Sequence, residues 1–183
     1  MDLGIEVILE LFSKEGLSKV FEIAFQQEQI ISENASRIYA LREHYLLAIN
    51  DVLSFLHVKN QTLARQICTE SFLPQASRFN QVEDLEWAFG LMGMQDKAKH
   101  LATLFLEDLS DFITECIDEN FGFSRYAERL GRSASTFNQL QAHLREELSY
   151  IDELSIKILV RPIHIQNPKL VCFSVPFPGN LYS

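Results

Sequence analysis

The sequence predicts a mainly-α chain, a multi-helix domain with one or two short strands at its ends. Three observations carry that reading. Proline interrupts the first 161 residues once, at Pro74, while the other four prolines fall from Pro162 onward, so a long helical region gives way to a short extended tail. Apolar residues recur at three- and four-residue spacing through most of that region. Leu170 to Phe173 is an apolar run too brief for a helix; Pro168 sets its start, and Pro176 and Pro178 withhold two ladder donors and end it. The division falls at residue 167: residues 1–167 make a helical region, and residues 168–183 a strand and Pro/Gly loop, the start of a truncated α/β segment.

Taken in order, Leu3 to Phe12 is an apolar-rich helical segment with Glu6 and Glu10 as its polar strip. Ser13-Lys-Glu-Gly16 breaks it, and Leu17, Val20, Phe21 and Ala24 resume the helical spacing. The strongest helix runs from Ala35 to Leu56, where Ile38, Leu41, Tyr45, Ala48, Ile49, Val52 and Leu56 share one face and Asn34 is the expected N-cap. Asn60 caps a further helix from Gln61 to Phe72, which stops at Pro74. Val82 to Met92 forms a short helix around Trp87, the single tryptophan; such residues are usually core pieces with one wet edge, with cofactor stacking as the alternative.

Asp96 to Glu119 is the second long helix, with Leu101, Leu104, Phe105, Leu109, Phe112, Ile113 and Cys116 on its buried side. Phe121 to Leu130 follows, and Ser133 to Thr136 can cap a helix reaching about Leu148. Ser149-Tyr-Ile-Asp152 has the form of a capping box and opens a segment to Val160. Arg161-Pro162 to Asn167 is expected to cross to the terminal strand.

Composition narrows the function classes. The formal net charge of −9 argues against a nucleic-acid partner, whose affinity is built on clustered Lys and Arg, and against an anionic membrane surface. No apolar run approaches membrane-spanning length. Met1-Asp2-Leu3 lacks the charged n-region and h-region of a signal peptide. Cys68, Cys116 and Cys172 are an odd, scattered set, which predicts reduced core thiols in a cytoplasmic protein.

Chemistry-bearing patterns are few. Asp108 falls within the buried arc of its helix, and Asp111 and Glu115 continue the edge at i+3 and i+7. Three carboxylates on one side can form a cation site or a general acid/base pair. Di-metal chemistry in a bundle requires Glu-x-x-His pairs, and none of the five histidines has Glu three places before it. The preferred reading is a helix edge facing water, with Asp108 capping or pairing locally. Arg125, Arg129 and Arg132 form a basic stripe able to clamp a carboxylate or phosphate. Glu128 explains much of it by intrahelical pairing, and a salt link to the acidic edge at 108–115 is preferred. His44 has no ligand-type neighbour one turn away and reads as a solvent-edge residue. Gly-x-Gly-x-x-Gly, Walker, His-Glu-x-x-His and Gly-x-Ser-x-Gly runs do not occur.

The stretch Ser174-Val-Pro-Phe-Pro-Gly-Asn-Leu-Tyr182 resembles the segment after a central strand in the N-terminal region of radical-SAM proteins that carry a cobalamin-binding-type domain. Asp2-Leu-Gly-Ile-Glu6, Thr103-Leu-Phe-Leu-Glu-Asp-Leu-Ser-Asp-Phe-Ile113 and Phe123-Ser-Arg-Tyr-Ala-Glu-Arg-Leu130 resemble the same region, in an order spanning nearly the whole chain. The resemblance implies that Asp2 to Glu6 follows a strand of a Rossmann-like α/β cobalamin-binding-type domain that also owns Leu170 to Phe173. The helices between would then be part of that domain or inserted into it. It further implies a parent iron-sulfur oxidoreductase that uses S-adenosylmethionine and a [4Fe–4S] cluster on a Cys-x-x-x-Cys-x-x-Cys run. Cys68, Cys116 and Cys172 lack that spacing, so the cluster is expected beyond Ser183.

Cobalamin remains open under the same resemblance. The Asp-x-His-x-x-Gly loop that supplies a cobalt ligand does not occur. Ser174-Val175-Pro176 matches the Ser of a Ser-x-Leu signature but carries Pro where Leu is usual. With cobalamin bound, Ser174, Pro176, Gly179 and Asn180 are the expected contacts, the Ser174 hydroxyl hydrogen-bonding it and the Gly179-Asn180 backbone approaching closely. The alternative is a packing loop. No catalytic residue and no metal ligand is assigned to the chain.

Three functions follow. The first is a non-catalytic N-terminal region of a radical-SAM enzyme, shaping a cofactor or substrate site, with the remainder of its own polypeptide as partner. The second is a helical protein-interaction module using the acidic and arginine stripes. The third is a helical protein that holds an apolar small molecule in its Phe-rich interior.

Overall fold

The computed structural model describes residues 3–74, 76–119, 121–122 and 148–170. Among them every regular element is helical. The α-helices are α1 (Leu3–Leu11), α2 (Lys14–Gln26), α3 (Glu33–Ala40), α4 (Arg42–Val58), α5 (Gln61–Ile67), α6 (Gln81–Phe89), α7 (Met94–Cys116) and α8 (Tyr150–Gln166), with a 3₁₀ turn at Ser77–Asn80 before α6. The chain is therefore mainly helical, as its proline distribution predicts. Leu170 carries no regular structure, and the rest of the expected terminal strand and loop lies outside the described residues.

Helix α7 is the spine. Leu104, Phe105, Leu109, Phe112, Ile113 and Cys116 are buried along one side, as their spacing requires. Around it pack α3, α4, α5, the 3₁₀ turn and α6. Helix α2 lies on α4 and α1, and α1 lies on α8. Phe12, Tyr45, Phe55, Phe105 and Phe112 are the bulkiest fully enclosed side chains, each contributing roughly 1.5–3 kcal/mol by burial. The Phe21 and Phe112 rings meet at 5.0 Å between centroids, joining α2 to the spine.

Local chemistry sets the breaks. The Ser13 hydroxyl donates to the Glu10 carbonyl at 2.7 Å and accepts from the Gly16 amide at 3.0 Å, closing α1 while capping α2. A Cβ on Gly16 would lie 2.0 Å from the Glu10 carbonyl oxygen, so only glycine lets the two helices meet this closely. Asn60 caps α5, as predicted, by accepting from the Thr62 amide at 2.7 Å. Ser149 and Asp152 form the full reciprocal capping box that opens α8.

Five expectations are corrected. The helix expected over Ala35–Leu56 is two helices joined at Leu41 (φ −96°, ψ 9°), whose amide bonds the carbonyls of both Arg37 and Ile38. Its N-cap is Ser32, which accepts from the Ala35 amide at 2.9 Å, and Asn34 is free to bond elsewhere. Helix α5 ends at Ile67, well short of Phe72.

Trp87 is 90% exposed. The buried anchor of α6 is Val82, five residues earlier and thus about 140° around the helix, which turns the indole outward. Residues 161–166 are not a crossing: α8 continues through Pro162 to Gln166 and closes at Asn167 in the left-handed region (φ 42°). Pro162 forfeits one backbone bond to Ile158, a loss that the capped ends of α8 absorb.

Candidate functional site

Asp108, Asp111 and Glu115 of α7 are the densest chemistry among the described residues, and each of the three meets a partner from outside the helix. Asp108 is 1% exposed. Arg37 on α3 places Nη2 at 2.7 Å from Oδ1 and 2.9 Å from Oδ2, and the same nitrogen donates to Asn34 Oδ1 at 2.9 Å. Tyr45 on α4 donates its hydroxyl to Asp108 Oδ2, and Arg37 Nη1 donates to the Tyr45 oxygen at 3.3 Å. Burial first, and then the Asp108 charge, push the Tyr45 phenol well above the ordinary tyrosine value. It stays a proton donor. Asp108 therefore has both oxygens occupied and offers no free base.

Asp111 accepts from Arg78 of the 3₁₀ turn. Glu115 accepts from the Ser32 hydroxyl and, at 3.3 Å, from Asn34 Nδ2. The water-facing edge expected for Asp108 is thus corrected, because an acid inside a buried arc must find a cation from another helix. The pairing is long-range, not local. Arg125, Arg129 and Arg132 lie outside the described residues, and the acidic row takes its partners from α3, α4 and the 3₁₀ turn.

Beside this junction lies a cleft of about 690 Å³ between the end of α5, residues 68–74 and 76–80, α6 and α7. Apolar side chains of Leu73, Phe79 and Val82 line it together with Arg37, Lys97 and Cys68. Lys97 Nζ donates to Glu86 Oε2 at 2.9 Å, and the Met92 amide reaches Glu86 Oε1 at 3.3 Å. The Lys97 hydrogen bond holds the Glu86 carboxyl below its ordinary value. Arg78 Nη1 and His100 Nε2 are buried without a hydrogen-bond partner. His44 donates to or accepts from the Phe72 carbonyl across 2.9 Å, according to tautomer, and so sits at an edge with a partner.

The described thiols do not converge. Cys68 Sγ lies 3.7 Å from the carbonyl of Met94, at the first residue of α7, and Cys116 is the last, its Sγ 3.4 Å from the Gln29 carbonyl. At ~1.5 Å per residue the two are about 33 Å apart along the helix, too far to share a metal cluster. Burial raises both thiols, that of Cys116 to about 11, the opposite of a thiolate ligand. Among the described residues no group of three His, Cys, Asp or Glu could hold a metal ion. Ser174, Pro176, Gly179 and Asn180 lie outside the described residues. No described helix is long and apolar enough to cross a membrane.

Arg37 is the residue sequence reasoning missed. The signal was present: it stands four before Leu41 and eight before Tyr45, on the same stripe, so a cation was entering a buried face. Comparison with known proteins gave no matching family model, no matching curated protein and no matching solved structure.

Proposed function

We propose that this chain is a non-catalytic helical region of a radical-SAM enzyme, inserted into or elaborating a Rossmann-like cobalamin-binding-type domain. The reading starts from the resemblance carried by Ser174 to Tyr182 and the three pieces before it. The observation that carries it furthest is the packing of α1 against α8. An element inserted into a sheet domain must leave and re-enter at neighbouring points, and here the first and last described helices are neighbours. The carboxylates of α7 support the same role, because Asp108, Asp111 and Glu115 serve as fasteners between helices.

In this role the chain supplies position and no reacting group. S-adenosylmethionine and the [4Fe–4S] cluster belong to the rest of the polypeptide, and Ser174, Pro176, Gly179 and Asn180 are the residues expected to contact cobalamin if the parent binds it. The test begins with the reading frame on both sides of this segment. A downstream Cys-x-x-x-Cys-x-x-Cys, and S-adenosylmethionine cleavage to 5′-deoxyadenosine by the full polypeptide after anaerobic iron–sulfide reconstitution, are the expected results. A frame without that run, or a reconstituted polypeptide that leaves S-adenosylmethionine intact, overturns the proposal.

A further inference from the structure

We infer that the corner between α6 and α7, with Trp87 at its centre, is a docking surface for an arginine-bearing amphipathic segment of a partner protein. The inference is independent of the family reading. Trp87 and Leu91 are 90% and 91% exposed, and Met94 is 48% exposed. Folded chains usually bury an indole on most sides, so an almost bare one asks for a cover.

The three side chains belong to one corner. Glu86 Oε1 accepts from the Met92 amide at 3.3 Å and Oε2 from Lys97 Nζ at 2.9 Å, while the Gly90 amide bonds the Glu86 carbonyl. Trp87 and Leu91 are the chain neighbours of the two residues that the Met92–Glu86 bond joins, and Met94 opens α7. A turn tied at three points leaves little to order when a partner arrives. Tryptophan is also among the residue types that anchor interfaces.

Charge around the indole selects the partner. Glu83 and Asp84 stand four and three residues before Trp87, hence beside it on the helix surface, and both are exposed. Asp96 is exposed too, its Oδ2 3.5 Å from where a Cβ on Gly93 would stand. Of the other charges in residues 81–99, Glu86 and Lys97 neutralise each other, and Lys99 is the one exposed cation. An aromatic face flanked by carboxylates matches a guanidinium, which stacks on the ring and pairs with the acids. A second copy docking through this corner would set like charge against like, and an anionic membrane would do the same.

Because Trp87 is the single tryptophan, its fluorescence reports on this corner alone. The full chain is titrated with a synthetic amphipathic helix of leucine and arginine, with its leucine–glutamate counterpart, and with phosphatidylcholine vesicles. The arginine peptide should give a saturable blue shift that weakens as salt is raised. The glutamate peptide should bind roughly tenfold or more weakly, and vesicles should leave the emission unchanged. Leu91→Asp should weaken the arginine peptide by about tenfold, the scale of an interface anchor. Leu47→Asp, at an exposed apolar position on α4, should leave its binding as it was. Both positions are exposed, so folding survives either change. The surface is overturned by no blue shift, by equal binding of the two peptides, or by a shift with vesicles or protein concentration alone. Equal losses from Leu91→Asp and Leu47→Asp, or binding indifferent to Leu91→Asp, overturn it as well.

Discussion

Helix α7 carries ion pairs of two unlike kinds. Where it meets α3 and α4, Asp108 is enclosed with Arg37 and Tyr45, and the side-chain exposures of the pair are 29% for Arg37 and 2% for Asp108. Where it meets the 3₁₀ turn, Arg78 and Asp111 stand at 26% and 45%, and on the first turns of α7 Lys97 reaches out to Glu86 of α6 beside the cleft. The residue types are the same, and the number of water-facing sides differs. An enclosed carboxylate must keep every partner, because losing one leaves a charge buried. A half-wet one can trade its partner for water at small cost. The Asp108 junction fixes how α3, α4 and α7 cross; the Arg78–Asp111 pair tolerates exchange with water.

The comparison can be broken or sharpened by mutation. Asp108→Ala should show the largest effect, a loss of about 3–5 kcal/mol in urea unfolding, since Arg37 is left without its carboxylate. Tyr45→Phe should cost about 1.5–3 kcal/mol, the range for a hydrogen bond to a charged group. Asp111→Ala should cost no more than about 1 kcal/mol. Equal losses for the Asp108 and Asp111 variants would erase the distinction between the junctions.

The smallest effect is a pH dependence. The folded Tyr45 phenol titrates above the unfolded one, whose ordinary value is 10.0. Its contribution is therefore complete below pH 10.0 and falls as pH rises beyond it, because the unfolded chain releases that proton first. The stability gap between the native chain and Tyr45→Phe should narrow above that pH. A gap that widens would mean that the phenolate is favoured in the fold.

The legible parts of the fold were those set by period and by caps. The buried arc of α7, the apolar positions of α2, the Asn60 cap and the Ser149–Asp152 box follow from local rules that tertiary contacts reinforce. What escaped the sequence depends on partners far along the chain. The bend at Leu41 has no glycine or proline to announce it. Asn34 looked like the cap because it has capping chemistry next to the first apolar turn; Ser32, two residues earlier, has it too and takes the Ala35 amide, while both side chains reach Glu115. Trp87 was placed inside by composition, whereas the facing of α6 is set by Val82. The Arg37–Asp108 pair spans 71 residues, beyond the reach of any local spacing rule. The resemblance-derived residues 174, 176, 179 and 180 lie outside the described residues.

The most direct test of α7 as a fastener, not a catalytic edge, is a double-mutant cycle on Arg37→Met and Asp108→Leu by urea unfolding. Each single change should cost about 3–5 kcal/mol, because it strands a buried or half-buried charge. The double variant should cost less than the sum of the two by at least ~2 kcal/mol, since no charge is then left behind. Additive losses, or single variants as stable as the native chain, would contradict the account and return Asp108 to the candidates for chemistry.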